Sequence, residues 1–169
     1  MERPIWLIGM MGSGKSTVAP LVAAALDCDW ADADSVIEKE TGRSIGELFG
    51  ESEARFRAVE VDVIRVLAEG HAVVATGGGA IMTEAAGIMR DSGVVVWLRA
   101  TIGTLTDRIG TGSERPLLAN GPAAIERIDG LRRQRYADMA DAVVDTDGRS
   151  PEEVADLVVE AWTNASPPR

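Results

Sequence analysis

Short apolar runs alternate with helical segments along the whole chain, and this alternation limits the folds that are open to it. Five runs have the length and continuity of buried strands, at 4–8, 30–31, 71–75, 94–98 and 142–144. Continuous apolar strands separated by amphipathic helices are typical of a parallel sheet that helices cover on both faces. The pattern therefore predicts a three-layer α/β/α fold with a five-stranded parallel sheet.

Helix starts and one buried helix face can also be read from the pattern. Ser44 followed by Glu47 matches a capping box, and Ser150 precedes a proline at the first helical position. Between 53 and 69, four apolar side chains recur at three- and four-residue spacing, which predicts one buried face. These four are Phe56, Val59, Val63 and Leu67.

The composition excludes several classes of protein. The 17 basic and 27 acidic residues give a formal net charge of −10, which argues against a general surface for nucleic acid or an anionic membrane. A single cysteine, Cys28, excludes an intramolecular disulfide and a cysteine-based zinc site, and the single histidine, His71, excludes any mechanism that needs two. Because neither a repeat nor a linker interrupts the 169 residues, we expect one domain over 1–169 that acts as a monomer.

The N-terminal segment has a short apolar run after Arg3, as a secretion signal would. Polar residues at 12–16 interrupt that run where the apolar part of a signal peptide should continue. Elsewhere no window approaches the length of about 18 consecutive apolar residues that a membrane span requires. We therefore expect a cytoplasmic protein without membrane association.

A phosphate-binding loop lies directly between the first predicted strand and the helix after it. Residues 9–16 read GMMGSGKS and satisfy the pattern G-x-x-x-x-G-K-S/T. Its glycines let backbone N–H groups surround phosphate oxygens, its lysine contacts the β- and γ-phosphates, and its hydroxyl can bind Mg²⁺. The positive end of the following helix faces the same anion. The residues expected to bind the nucleotide here are Gly12, Ser13, Gly14, Lys15, Ser16 and Thr17.

Carboxylates and glycines follow two further predicted strands at the same edge of the sheet. Strand alternation points Asp32 and Asp34 in the same direction. One carboxylate would then lie near Mg²⁺ and the other near an acceptor hydroxyl, so that each serves a different part of the reaction. The alternative for Asp34 is an N-cap of a helix that begins near Ser35. Residues 77–79 are three glycines, which indicates close approach of the backbone to a ligand or, alternatively, a tight turn.

Arginines are concentrated between Arg99 and Arg135, where the sequence has seven arginines and four acidic residues. Any one of them could lie on a solvated helix face, but together they suggest an anionic ligand, and a planar arginine binds a carboxylate in a bidentate manner. The two phenylalanines, Phe49 and Phe56, fall in helices on the acceptor side. Core packing is their expected primary role, and an apolar ring face of a substrate could also rest on them.

Taken together, these stretches resemble the shikimate kinases over residues 4–163. The matching segments are GMMGSGKST at 9–17, DADSVIEKETGRSIGELF at 32–49, FRAVE at 56–60, GGGA at 77–80, RPLL at 115–118 and VDTDGRSPEEVA at 144–155. Several such segments in order are far more specific than any one alone. The resemblance implies strand order 2-3-1-4-5, as in nucleoside-monophosphate-kinase-like folds, and transfer of phosphate from ATP to shikimate with Mg²⁺.

The resemblance also implies roles for individual residues on the donor side. Lys15 and Ser16 would handle the ATP phosphates and the metal, with Asp32 contacting Mg²⁺ through water. Arg108 and the turn from Arg149 to Pro151 resemble the elements that contact adenine. Arg115 resembles the arginine of a lid, about 110–121, that closes on the transferring phosphoryl group and reaches the acceptor.

On the acceptor side, the resemblance implies that Asp34 hydrogen-bonds the acceptor hydroxyls and acts as base or orienter. Arg57 and Arg132 resemble the pair that grips the shikimate carboxylate, although Arg133 and Arg135 are close enough in sequence to compete with Arg132 for that role. Gly77, Gly78 and Gly79 are similar to backbone donors beside the acceptor ring. The acceptor segment, about 33–61, and the lid are expected to close and exclude water.

Two alternatives stay open from the residues alone. One is a kinase of the same fold that phosphorylates gluconate or a nucleoside monophosphate. The other is a regulator that binds ATP without turnover, against which Asp34 together with Arg115 argues. A phosphate-binding loop by itself distinguishes none of these.

Overall fold

A computed structural model describes residues 3–70, 72–109 and 122–165. The strands are β1 Ile5–Ile8, β2 Asp29–Asp32, β3 Ala72–Ala75, β4 Val94–Arg99 and β5 Ala142–Asp145. The helices are α1 Lys15–Leu26, α2 Ala33–Thr41, α3 Ile45–Glu51, α4 Glu53–Leu67, α5 Ala85–Ser92, α6 Ile102–Ile109, α7 Pro122–Met139 and α8 Pro151–Asn164, with a 3-10 turn at Ala80–Met82. His71 and the whole predicted lid lie outside the described residues.

The five strands pair in the order β2-β3-β1-β4-β5, and every pairing is parallel. Both the fold class and the strand order predicted above are confirmed. The strand boundaries agree to within two residues, because continuous apolar runs mark strands that are buried on both faces. Parallel pairing brings the carboxyl ends of all five strands to one edge of the sheet.

Helices cover both faces of the sheet, so the core has two halves. On β1, Ile5 and Leu7 pack with α1 and α8, while Trp6 and Ile8 pack with the helices of the opposite layer. This division follows from the alternation of side chains along a strand. All four residues are fully buried, as expected for the central strand of a three-layer domain.

The capping signals read from the sequence are present in the structure. Ser44 and Ser150 each accept a hydrogen bond from the backbone N–H three residues later, and the carboxylates of Glu47 and Glu153 each accept one from the backbone N–H of the cap residue. These boxes fix where α3 and α8 begin, and α3 forms one wall of the site described below. In the described parts of the chain, no helix has the length and apolar content needed to cross a membrane.

Candidate active site

Three neighbouring strands end at the same edge of the sheet and bring their loops together. Asp32 of β2 lies in register with Ala75 of β3, whose other neighbour is Leu7 of β1. Thr76 connects the end of β3 to β1, since both its N–H and its hydroxyl donate to the Leu7 carbonyl, at 3.2 and 3.0 Å. The phosphate-binding loop after β1 therefore lies beside the glycines that follow β3.

The phosphate-binding loop is held in shape by its own lysine. Lys15 Nζ donates to the carbonyl oxygens of Gly9 and Met10 at 2.8 and 2.9 Å, and to Ser13 Oγ at 3.4 Å. Gly14 is the N-cap of α1 and provides no side-chain acceptor for the first helical turn. The positive end of α1 therefore opens onto the loop, as an anion-binding site requires.

Ser16 and Asp32 lie next to each other, with Ser16 Oγ donating to Asp32 Oδ2 at 2.5 Å. The other carboxylate oxygen of Asp32 accepts from the backbone N–H groups of Asp34 and Ser35, so Asp32 is the N-cap of α2. A hydroxyl and a carboxylate form an oxygen donor set of the kind that Mg²⁺ prefers. These residues therefore fit the magnesium site that the sequence predicted.

The structure corrects the sequence argument about Asp34. Strand alternation does not relate it to Asp32, because β2 ends at Asp32 and Asp34 lies in the first turn of α2. The alternative of Asp34 as an N-cap is also wrong, since Asp32 provides the cap. Both corrections have one cause: the helix starts two residues earlier than the strand reading assumed.

A cavity of about 570 Å³ opens beside the phosphate-binding loop. Its lining includes every residue in the described ranges that the sequence assigned to the acceptor: Asp34, Phe49, Phe56, Arg57, Gly77, Gly78, Gly79 and Arg132. It also includes residues that the sequence analysis did not assign to the acceptor: Met11, Ser35, Glu38, Ser44, Ile45, Gly46 and Glu60. The acceptor residues thus share one concave site, although they come from four separate parts of the chain.

Arg57 is fixed within this cavity by a carboxylate and two aromatic rings. Its Nη1 lies 2.8 Å from Glu60 Oε2, one turn further along α4. The guanidinium carbon also lies 5.6 and 5.0 Å from the ring centres of Phe49 and Phe56, which contact each other edge to face. The two phenylalanines therefore pack in the core and also hold a cation at the cavity wall.

Glu60 is the functional side chain that the sequence analysis missed. It is fully buried, and its Oε1 has no hydrogen-bond partner among the described residues. Burial raises the pKa of this carboxyl, although the neighbouring Arg57 guanidinium opposes the shift. The available signal was a carboxylate on the apolar stripe of α4, where Glu60 follows Phe56 by four residues and precedes Val63 by three.

Two of the glycines after β3, Gly77 and Gly79, lie against close neighbours. A Cβ on Gly77 would lie 2.6 Å from Glu60 Oε1 and 3.0 Å from Asp34 Oδ1, and one on Gly79 would overlap the Arg57 guanidinium. Any side chain here would displace the groups that line the cavity. Two carboxylates and an arginine are therefore packed directly against this backbone.

The structure also separates the three candidate arginines of α7. Arg132 lines the cavity and donates to the Gly78 carbonyl at 3.1 Å. Arg133 instead pairs with Asp129 at 2.7 Å, and Arg135 is exposed and does not line the cavity. Arg132 is thus the one of the three that lines the cavity.

Near the β5 edge of the sheet, Arg108 and Pro151 flank the loop after β5. The Arg108 guanidinium donates to the Thr146 hydroxyl and carbonyl at 2.9 and 2.7 Å, and the residue is exposed. Pro151 is exposed at the start of α8, as is Arg149 just before it. Arg115, assigned to the lid, lies outside the described residues.

Comparison with known proteins shows which family this chain is similar to. Residues 11–163 match the family described as shikimate kinase. The chain is 39% identical over 170 residues to a shikimate kinase of Thermodesulfovibrio yellowstonii, covering 97% of each, and 42% identical over 165 residues to one of Streptomyces coelicolor, covering 95% of this chain and 96% of that protein.

A solved structure gives the same result. Shikimate kinase from Acinetobacter baumannii in complex with shikimate superposes with a TM-score of 0.89 at 31% identity, covering 94% of this chain and 91% of that one. The family match spans most of the sequence and includes the phosphate-binding loop from its third residue, Met11, onward, together with all the described cavity segments. This chain belongs to the shikimate kinase family.

Proposed function

We propose that this protein transfers the γ-phosphoryl group of ATP to the 3-hydroxyl of shikimate, giving ADP and shikimate 3-phosphate. ATP-dependent kinase activity on shikimate follows from its family. The observation that carries the residue-level proposal is the shared cavity, in which two arginines and Asp34 lie beside the phosphate-binding loop. Phosphoryl transfer depends mainly on positioning and charge neutralisation, and these residue types supply both.

On the donor side, the loop from Gly12 to Thr17 would bind the ATP phosphates. Backbone N–H groups and the open N-terminus of α1 provide the positive potential, and Lys15 adds a full charge. Arg108, Arg149 and Pro151 would hold the adenine between the exposed surfaces of α6 and the start of α8. These assignments place the reacting phosphate at the junction between the loop and the cavity.

Mg²⁺ would be held by Ser16 and, through water, by Asp32. When bound, the metal neutralises phosphate charge. The capping bonds that Asp32 accepts from Asp34 and Ser35 orient its carboxylate, so the same interaction that starts α2 also prepares a metal-binding group.

On the acceptor side, Arg57 and Arg132 would bind the shikimate carboxylate. A planar guanidinium matches a carboxylate in a bidentate manner, and both residues line the cavity. Phe49 and Phe56 would lie against the apolar ring carbons. The N–H groups of Gly77, Gly78 and Gly79, which also line the cavity, would donate to the substrate.

Asp34 would orient the acceptor hydroxyl and accept its proton as the new bond to phosphorus forms. It lies at the cavity wall next to Gly77, on the same side as the phosphate-binding loop. Arg115 would complete the site from the lid. The acceptor segment 33–61 and the lid 110–121 would close on substrates and exclude water, within one domain spanning 1–169.

We further propose that the protein acts in the cytoplasm as a monomer, with ATP and shikimate as its small-molecule partners and without nucleic acid or membrane. The formal charge of −10 supports the last two points. Light scattering coupled to size exclusion tests the monomer directly, since a dimer would double the mass.

The function is tested by measuring ADP release from Mg-ATP with shikimate, gluconate, CMP and AMP in parallel. Release with shikimate alone is expected. Asp34→Asn should lower turnover by about 100- to 10,000-fold while ATP binding, followed by calorimetry, stays intact. Release with a different acceptor would reject the substrate, and unchanged turnover in Asp34→Asn would reject the role of Asp34.

A further inference from the structure

We infer that Tyr136 is a positioning residue for the acceptor, acting through the Gly78 carbonyl. Its hydroxyl donates to that oxygen at 2.6 Å, and Arg132 Nη1 donates to the same oxygen at 3.1 Å. Tyr136 does not line the cavity, but Gly78 and Arg132, which it contacts or shares a bond with, both do. This inference rests on the proposed acceptor site.

A hydroxyl at this position has a clear energetic requirement. Tyr136 is fully buried, and a buried hydroxyl is costly unless it forms a hydrogen bond. Burial raises the pKa of the phenol well above its ordinary value, so the group remains a donor at neutral pH. Phenylalanine would fill the same space, so what tyrosine adds is the hydrogen bond from its hydroxyl to the Gly78 carbonyl.

The hydrogen bond fixes the plane of the Gly78–Gly79 peptide. None of the described peptide bonds is cis, and in a trans peptide the C=O and the following N–H point in opposite directions. Because the Gly78 carbonyl points towards α7, the Gly79 N–H points away from that helix. Gly79 lines the cavity, so Tyr136 determines how this donor is presented to the acceptor.

The tyrosine ring is itself anchored to the sheet. It stacks on Trp97 of β4 with ring centres 5.6 Å apart and an interplanar angle of 20°, and Trp97 is buried. Arg132 and Tyr136 lie one turn apart on α7, so they reach the same carbonyl from one helix face. A rigid strand thus orients, through Tyr136, both a backbone donor and the carboxylate-binding arginine.

Tyr136→Phe tests this role, because it removes the hydroxyl and keeps the ring. The KM for shikimate should rise by about 2- to 12-fold, the effect of one lost hydrogen bond, with little change in kcat or in the KM for ATP. Ser92→Ala is the matched control. Ser92 donates to the Ile88 carbonyl at 2.7 Å and accepts from Trp6, at the opposite edge of the sheet.

A merely structural tyrosine would give a different result. Tyr136→Phe would then lower the melting temperature as Ser92→Ala does and leave the KM for shikimate unchanged, which overturns the inference. A double-mutant cycle with Arg132→Ala adds a second readout. Because both side chains share one carbonyl, the double variant should raise KM less than the product of the single effects, and simple multiplication would contradict the shared mechanism.

One measurement separates this inference from the proposed function. The backbone order parameter of the Gly79 amide, from ¹⁵N relaxation of the free protein, should fall in Tyr136→Phe and stay unchanged in Ser92→Ala. It needs no turnover. Wild-type protein that releases no ADP with shikimate would overturn the proposed substrate, while an unchanged Gly79 order parameter would overturn the role of Tyr136.

Discussion

Arg57 and Glu60 form an ion pair one turn apart on α4, with 2.8 Å between Nη1 and Oε2. The carboxylate is fully buried, while the guanidinium keeps part of its surface at the cavity. Glu60 therefore holds Nη1 of the arginine, while Glu53 Oε1 lies 3.6 Å from Nη2. In the proposed acceptor site, this arrangement keeps a guanidinium at the cavity wall.

Arg57→Ala should weaken shikimate binding because it removes a charge-assisted hydrogen bond to the carboxylate. The expected loss is about 1.5–3 kcal/mol, or roughly 10- to 150-fold in the KM for shikimate. Steady-state kinetics with each substrate varied will measure it, and the KM for ATP should not change. Arg65→Ala, on an exposed part of α4, is the control, and an unchanged KM in Arg57→Ala would remove Arg57 from the site.

Gly79→Ala should disturb the site without disturbing the backbone. Gly79 has φ −102° and ψ −8°, which alanine also adopts, but the added Cβ would lie 2.6 Å from Arg57 Nη1. The arginine must move, so the KM for shikimate should rise. Gly87→Ala, in α5 with nothing within 4 Å, should instead stabilise the fold by up to about 1 kcal/mol. Equal kinetics in the two variants would contradict this account.

Glu60→Gln should change how stability depends on pH. Burial holds the pKa of Glu60 above the value of about 4.5 that it has when unfolded. Between those two values the folded chain keeps a proton that the unfolded chain releases, so stability falls as pH rises through this window. Glutamine does not titrate, so the Glu60→Gln variant lacks this loss of stability.

Melting temperatures measured from pH 4.5 upwards will check the Glu60 prediction. The wild type should lose stability relative to Glu60→Gln as pH rises. Glu40→Gln, on an exposed part of α2, removes a charge outside the cavity and serves as control. Parallel pH profiles for the wild type and Glu60→Gln would show that Glu60 does not titrate as the buried group described here.

Asp32→Asn should weaken the response to Mg²⁺ while preserving the start of α2. Asparagine is as good an N-cap as aspartate, but it lacks the charge. The Mg²⁺ concentration for half-maximal activity should rise by about 10- to 100-fold, as for other groups that act on a metal through water. Asp32→Ala should in addition lose about 0.5–2 kcal/mol of stability. A normal Mg²⁺ titration in Asp32→Asn would exclude the metal role.

Most of the fold was predictable because its signals are local and redundant. The strands β1, β3 and β4 are continuous apolar runs, and the capping boxes at Ser44 and Ser150 mark two helix starts without tertiary information. The strand order is different, since nothing in the periodicity says which strands are neighbours. It came from the resemblance to a family.

The cavity was predictable only in part, and the reason lies in where its residues point. Arg57 and Arg132 could be assigned by resemblance, but the contact of Arg132 with Gly78 joins residues 54 positions apart. Glu60 was missed because the predicted buried face of α4 included the apolar Val59 instead. In the structure Val59 is only partly buried. Asp34 was related to Asp32 by strand alternation because a helix start at Ala33 depends on the cap at Asp32.

The three helices between β2 and β3 form one uninterrupted insertion, residues 33–67, and supply most of the cavity wall. The nucleotide-binding residues come from other parts of the chain. Most of the wall of the proposed acceptor site is therefore encoded in one stretch of sequence. That stretch can vary while the sheet and the phosphate-binding loop are inherited unchanged.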